Sequence, residues 1–363
     1  LKSLGVPSLR ERARFCPGCS MTAVAAEDLP FPLKPHFEVC SVQPAVFEGF
    51  GRGMRCTQQV SRGEKLLSIS VAKCWTATAA RLCPALAALG EDALEAISDA
   101  SLIALHILVV RSQGLTGEDV RREHVATLVS AEFETLLDWG EEELQMLGGS
   151  KWGAVVPACR SDIAEEFAEL LEVFGEFMAA HCIDCQSFLW AHKLLISRSV
   201  QIFMEDGSLL YILGPGQDMF NHSVEAPVGN DDVNLELSDI TGERMLVIRA
   251  YKDFEIGEQA FYSYSGASNG RLLMMAGFVV PDNPFDAVEL ALTFPVTEAS
   301  LPLYLKLADG LDAGIRAPGS AVAEETKDEF LEVRSADGEE GDGPPTEAVL
   351  HVRLCRGAPP AQL

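Results

Sequence analysis

"GPGQDMFNHSVEAP", residues 214–227, follows an apolar run and sets Asn221 and His222 back to back. Asn–His is a poor hairpin turn, and a single histidine beside an asparagine is no metal spacing. The dipeptide is best read together with a second stretch about forty residues on, "GEQAFYSYSGASNGRLLMMAGF" at 257–278. Around both, residues 201–265 read as strands broken by glycine turns. "SLLYILGPGQDMF" and "ERMLVIRAYKDFEIGEQAFYSYS" hold the strands, with Gly242 and Gly257 in turns. "NGRLLMMAGFV" (269–279) reads as a short helix. A similar β pattern runs from His36 to Trp75, with a Gly-rich turn at "GFGRGM" (49–54) and a turn and strand at "SRGEKLLSIS" (61–70).

Between these halves, residues 76–200 change period. "ALAALGEDALEAISDASLIALHILVVRSQG" (85–114) spaces its apolar residues helically and ends in Gly114. "SAEFETLLDWGEEELQMLGG" (130–149), "SDIAEEFAELLEVFGEFMAAHC" (161–182) and "DCQSFLWAHKLLISRSV" (184–200) read as further amphipathic helices. No GxGxxG opens a helix and no P-loop is present, so the pattern excludes a doubly wound sheet. It predicts an α+β chain, a β-rich core split by a helical insertion.

The chain has 363 residues, 48% hydrophobic and 23% charged, which suits a globular protein. No run of about 18 apolar residues exists, so no membrane helix is expected. The longest apolar run, "LIALHILVV" (102–110), reads as a buried helix despite His106. The net charge of −26 argues against nucleic acid as partner and for a basic protein. "AEETKDEFLEVRSADGEEGDGPPTE" (323–347) is acidic and ends rich in Gly and Pro, and is expected to be disordered. Residues 1–35 are expected to be a disordered lead or the remnant of a transit peptide.

Ten cysteines include "CPGC" (16–19) and "CIDC" (182–185), the latter preceded by His181. A zinc site would need these to converge, and no metal is expected. No disulfide framework is visible, so the thiols are expected to be reduced and the chain intracellular, in cytoplasm or nucleus, with a plastid left open by the lead. The oligomeric state is left open.

Four blocks, in order over about residues 37–290, resemble the SET-domain protein methyltransferases, in the split branch that includes the Rubisco large-subunit lysine methyltransferase. They are "GFGRGM" with "SRGEKLLSIS"; "SFLWAHKLLISRSV"; "PGQDMFNHS"; and "GEQAFYSYSGASNGRLLMMAGF" running into "NPFD". The resemblance implies a SET domain over 36–290, with a knot-like C-terminal segment and a helical insertion at about 76–200. A short, partly helical substrate-binding region would follow at 291–363, with "LPLYLKLADGLDAGI" as its helix, before the acidic tail.

The resemblance also implies S-adenosylmethionine as cofactor and a protein lysine as acceptor. Gly51, Arg52 and Gly53 would line the methionine part, and Ser197 and Arg198 would meet its carboxylate. Asn221 would hold the amino-acid end, and the main chain of His222 the adenine edge. Tyr264 would be catalytic. Tyr262, two residues away on the same side of a strand, Asp218 and Phe278 would line the substrate channel. Asn269 would cap the last helix. Three positions depart from the family: Ser265 for a glycine, Ala276 for a tyrosine, and Gly216 for a bulkier residue. Ser265, Ala276 and the short C-terminal region keep a catalytically silent binding module as an alternative. A histidine methyltransferase is the other, since one branch of the family methylates histidine and an imidazole, with a pKa near 6.5, is mostly neutral at pH 7.

Overall fold

A computed structural model describes residues 33–295, apart from 115–118, 130–132, 205–207 and 229–232, together with 14–15, 31, 300, 330–334 and 347–355. Residues 1–265 and 270–281 form one compact unit, and 266–269 with 282–363 a second.

The first unit holds two four-stranded sheets. One orders its strands Val39–Cys40, Lys65–Ser70, Arg244–Arg249 and Val233–Leu237, all antiparallel. Glu236 ties three of them, receiving Arg249 through both carboxylate oxygens at 2.8 Å and Lys65 at 3.2 Å. The other orders Val42–Phe47, Gly51–Cys56, Gln259–Tyr262 and Asn221–His222. Between the sheets, Met54, Leu66, Leu67, Ile69, Phe220, Leu246, Ile248 and Phe254 are buried in one apolar core. The chain enters this core before His36: Leu33 is fully buried and Phe31 stacks on Phe37 at 5.4 Å. Within the expected lead, Arg14–Phe15 pairs in parallel with Phe278–Val279.

The helices between the β halves run from Ala77 to Arg198. The run expected as one helix over 85–114 is three: Pro84–Ala87, Glu91–Glu95 and Asp99–Ser112. Gly90, at φ +96, breaks it, and Ser98 caps the last piece by accepting from the N–H of Ser101. Residues 101–110 are all buried, as the apolar run implied. Residues 133–149 do not form one helix. Thr135 and Asp138 close a capping box on a single 3₁₀ turn, and a helical turn, Glu141–Leu144, follows. The next helix is longer than expected, Trp152–Ala180, with a kink at Phe174. Helix Val120–Val129 had no clear signature in the sequence.

The core of the insertion centres on Phe188, fully buried against Phe167 at 5.6 Å and His192 at 4.5 Å. Phe188→Ala should cost about 3–5 kcal/mol, because the cavity cannot collapse between two long helices. Chemical denaturation would read it as a lower midpoint with an unchanged slope.

The second unit corrects one expectation. The acidic segment contains a strand, Phe330–Arg334, and another, Glu347–Cys355, begins at its end. Both pair antiparallel with each other, and Glu347–Cys355 pairs with Ala287–Pro295 through nine residues, from Ala287↔Cys355 to Pro295↔Glu347. "LPLYLKLADGLDAGI" lies outside the described residues. Among the described residues no helix is long and apolar enough to cross a membrane.

Candidate active site

Three of the four sequence blocks meet on one sheet. "GRG" is not a turn but the start of strand Gly51–Cys56, paired antiparallel with Gln259–Tyr262. The Asn–His dipeptide is a two-residue strand on the other side of Gln259–Tyr262, in parallel, with Asn221 opposite Phe261 and His222 opposite Tyr262. This explains the back-to-back pair: alternation on a strand sends the two side chains to opposite faces. Asn221 donates from Nδ2 to the carbonyl of Arg52 at 3.0 Å and so ties the two motifs together.

Approach at Gly53 is close. A Cβ there would lie 2.3 Å from Nε2 of Gln259 and 2.8 Å from Nδ2 of Asn221, so only glycine fits without displacing both amides. Gly53→Ala should therefore cost about 1–3 kcal/mol of stability through overpacking and misplace Asn221. A melting curve checks the first effect and the Asn221–Arg52 contact in a variant structure the second.

The strand before the Asn–His pair ends at Ile212, and residues 214–220 form a buried turn rather than its continuation. Gly214 N–H donates to Oε1 of Gln217 and Gly216 N–H to Oδ1 of Asp218, so the turn folds its own side chains inward. Gly216 adopts φ +82, and a Cβ would stand 2.9 Å from the ring of Phe37. The family's bulkier residue has no room here.

Helix Cys185–Arg198, capped by Asp184, brings in the fourth block. Arg198 donates from Nη1 to the carbonyl of Asp218 at 2.9 Å and lies 3.4 Å from its Oδ2. Its guanidinium sits over the ring of Phe133 at 5.1 Å. The Ser197 hydroxyl instead donates to Leu194, within its own helix, at 3.4 Å. Burial lowers the pKa of Arg52, opposed by Asp218 and reinforced by Arg198.

Asp218 does not fit a channel-lining role through its carboxylate, which is wholly buried. Burial pushes its pKa up, but His124, Arg198 and Arg52 outweigh this and hold it at about 2. It is an anchor.

Tyr262 is likewise in the core, 4% exposed, and its hydroxyl accepts from Nε2 of Gln217 at 2.6 Å. Burial, then Tyr264, raise its pKa well above the ordinary tyrosine range. Its ring supports that of Tyr264, with centroids 5.3 Å apart.

Tyr264 is half-buried. Its hydroxyl donates to the carbonyl of Phe220 at 2.8 Å and its N–H to Nδ1 of His222 at 3.0 Å. Phe278 closes an aromatic cluster, 6.0 Å from the His222 ring and 6.2 Å from that of Tyr264. Burial pulls the pKa of His222 down to about 4, so it is neutral at neutral pH, with its proton on Nε2. Asn269 is the first residue of the last helix, and its N–H donates to Asp286 at 3.0 Å.

His124, Trp75, Gln217, Gln259 and Phe133 were not singled out in the sequence. Gln217 and Gln259 lie inside the two quoted stretches, but the other three had no local signal. Cys182 and Cys185 are exposed at the start of helix Cys185–Arg198, while Cys16 and Cys19 lie outside the described residues. Among the described residues no cluster of three or more His, Cys, Asp or Glu is placed to hold a metal.

Three buried donors in this site have no hydrogen-bond partner among the described residues: Nε of Arg198, Nε2 of Gln259 and the Ser263 hydroxyl. Nε2 of Gln259 lies at the tight approach to Gly53, and Nε of Arg198 belongs to a guanidinium whose charge is felt by Arg52. A small ligand with an anionic end fits such a set.

The SET domain family model matches residues 51–265, more than half of the chain. The actin-histidine N-methyltransferase of Rhinolophus ferrumequinum is 26% identical over 254 residues, covering 68% of this chain and 41% of that protein. The chloroplastic ribulose-1,5-bisphosphate carboxylase/oxygenase large subunit N-methyltransferase of Pisum sativum is 24% identical over 183 residues, 48% of this chain and 36% of that protein. The chain thus spans about two fifths or less of the length of these curated relatives. Among solved structures, the SET domain of LSMT bound to lysine and AdoHcy superposes with a TM-score of 0.64 at 17% identity, covering 89% of this chain and 65% of that one. Rubisco LSMT bound to AdoMet gives 0.63 at 16%, covering 92% and 69%. The match begins at the Gly-Arg-Gly strand and ends one residue after Tyr264, and the chain belongs to the SET domain family.

Proposed function

We propose that this chain is an S-adenosylmethionine-dependent protein methyltransferase acting on a lysine side chain, with Tyr264 as its catalytic residue. The observation that carries the reading is the meeting of Gly51–Gly53 and Asn221–His222 on one sheet, with Tyr264 two residues past the end of its strand Gln259–Tyr262 and hydrogen-bonded to His222, beside buried donors that have no partner among the described residues.

When bound, S-adenosylmethionine supplies an electrophilic methyl on a sulfonium. The free Nε of Arg198, supported by the charge of Arg52, would pair with the cofactor carboxylate. Gly51 and Gly53 would let the methionine part lie against the backbone. Asn221 would hold its amino-acid end and the main chain of His222 the adenine edge. Tyr264, fixed at both its N–H and its hydroxyl, would orient the acceptor nitrogen behind the methyl. Phe278 and Tyr262 would keep water out and support that ring.

A lysine has a pKa of about 10.4 in water, and an aromatic surround lowers it by desolvating the charge. Asp218 is not the base that collects the proton. At a pKa of about 2, with its oxygens engaged by His124, Gly216 and Arg198, it has no basicity to offer near neutral pH.

We assign the SET domain to 36–290, its insertion to about 76–200, and acceptor engagement to 291–363. The acceptor is a basic protein. Glu165, Glu169, Glu172 and Glu176 line exposed positions of helix Trp152–Ala180, in a chain of net charge −26. A histidine acceptor is the second reading, favoured by the similarity to actin-histidine methyltransferases.

Labelled-methyl transfer into a protein extract, followed by mass spectrometry of the labelled residue, decides. Trimethyllysine or its precursors support the proposal and methylhistidine the second reading. Cofactor binding without any transfer would leave a silent binding module.

A further inference from the structure

His124 lies on helix Val120–Val129, outside every block that carries the family resemblance, and is fully buried. Its Nδ1 accepts from the indole N–H of Trp75 at 2.9 Å, and its Nε2 stands 3.0 Å from Oδ1 of Asp218. An indole nitrogen only donates, so Nδ1 carries no proton. The ring proton is therefore on Nε2 and goes to Asp218.

Trp75 is itself pinned. Its backbone bridges to Leu213, and its ring is flanked by His106 at 5.0 Å and by the Arg121 guanidinium at 5.8 Å. Arg121 in turn donates to the carbonyls of Ala72 and Cys74. The chain Trp75, His124, Asp218, Arg198 thus runs from the helical insertion into the site. It ends on the guanidinium whose buried Nε has no partner among the described residues.

We propose that His124 is a positioning residue for the cofactor. By holding Oδ1 of Asp218 from the far side, it leaves Oδ2 and the Asp218 carbonyl to Arg198, and so sets the direction in which the free Nε–H of Arg198 points. The proposal rests on the assignment of Arg198 to the cofactor carboxylate.

The test compares two ligands on the full chain by calorimetry: S-adenosylhomocysteine, and adenosine, which lacks the amino-acid end. His124→Leu should weaken S-adenosylhomocysteine about tenfold or more, the scale of a hydrogen bond to a charged group, with adenosine within about twofold. His124→Gln, which can still donate to Asp218, should recover most of the loss. Equal weakening of both ligands, or none, overturns the proposal, because a packing role does not distinguish them.

If His124→Leu does not fold, Trp75→Phe answers the same question. It keeps an aromatic ring but releases Nδ1, and should weaken only S-adenosylhomocysteine; an unchanged affinity overturns the proposal. Failure of the wild type to bind S-adenosylhomocysteine at all would sink the Arg198 assignment and this proposal together. Wild-type binding with an indifferent His124→Leu sinks this proposal alone.

Discussion

Tyr264→Phe should lower single-turnover methyl transfer by about 100-fold or more, the scale of a misaligned reacting pair, while cofactor affinity moves less than about threefold. The asymmetry follows from what the hydroxyl touches. It donates to the Phe220 carbonyl at 2.8 Å, and Phe220 directly precedes the Asn–His strand. The ring position is held separately, by the rings of Tyr262, His222 and Phe278 and by the Tyr264 N–H on His222. Phenylalanine keeps all of these and removes only the oxygen. Loss of that hydrogen bond should cost about 1 kcal/mol of stability, too little to explain a lost activity by unfolding. Parallel loss of transfer and cofactor affinity would instead make Tyr264 a wall of the pocket. Unchanged transfer would remove it from the chemistry.

Asp218→Ala should be the most damaging single change to the fold of the site, at about 3–5 kcal/mol, because it leaves buried partners uncompensated. Arg198 loses its carboxylate, His124 Nε2 loses its acceptor, and Gly216 N–H loses the bond that closes its turn. A total stability of about 5–15 kcal/mol makes that a large fraction, visible as a much lower melting temperature.

The same carboxylate predicts a pH dependence. Its folded pKa, about 2, lies below its ordinary value, so its stabilisation is fully present above about pH 4 and is lost as pH falls through the folded value. The difference in unfolding free energy between wild type and Asp218→Asn should be constant from pH 5 to 7 and shrink by about 2–3 kcal/mol toward pH 2. A difference that stays flat throughout would mean that the carboxylate is not held by these partners.

The sequence carried the site better than it carried the elements between. Gly51–Gly53, Asn221–His222 and Tyr264 could be read because each sits in a short motif whose residue types are constrained by close approach or by ring contact. That Gly51–Gly53 and Asn221–His222 flank the strand leading to Tyr264 could not be read, since the close approach of residue 53 to the side chains of 221 and 259 is a long-range event.

Helical period marked Asp99–Ser112 and Cys185–Arg198, whose apolar faces are continuous. It failed over 130–149, where Thr135 and Asp138 satisfy each other and stop the helix after one turn. The strands at 330–334 and 347–355 were masked by acidic composition, although "FLEV" and "AVLHVRLC" have the β-branched and apolar residues that pairing uses. Asp218 and Tyr262 were read as lining the channel, whereas the Asp218 carboxylate and the Tyr262 side chain are buried. Nothing local says that an aspartate in "GQDMF" will be met by a histidine 94 positions earlier.

The most direct test of the account is a calorimetric titration of S-adenosylmethionine into the purified chain. The account predicts one site with a dissociation constant on the order of micromolar, about −8 kcal/mol, strongly weakened when Arg198 is replaced by Met. No binding at millimolar cofactor, or binding indifferent to Arg198→Met, would contradict it.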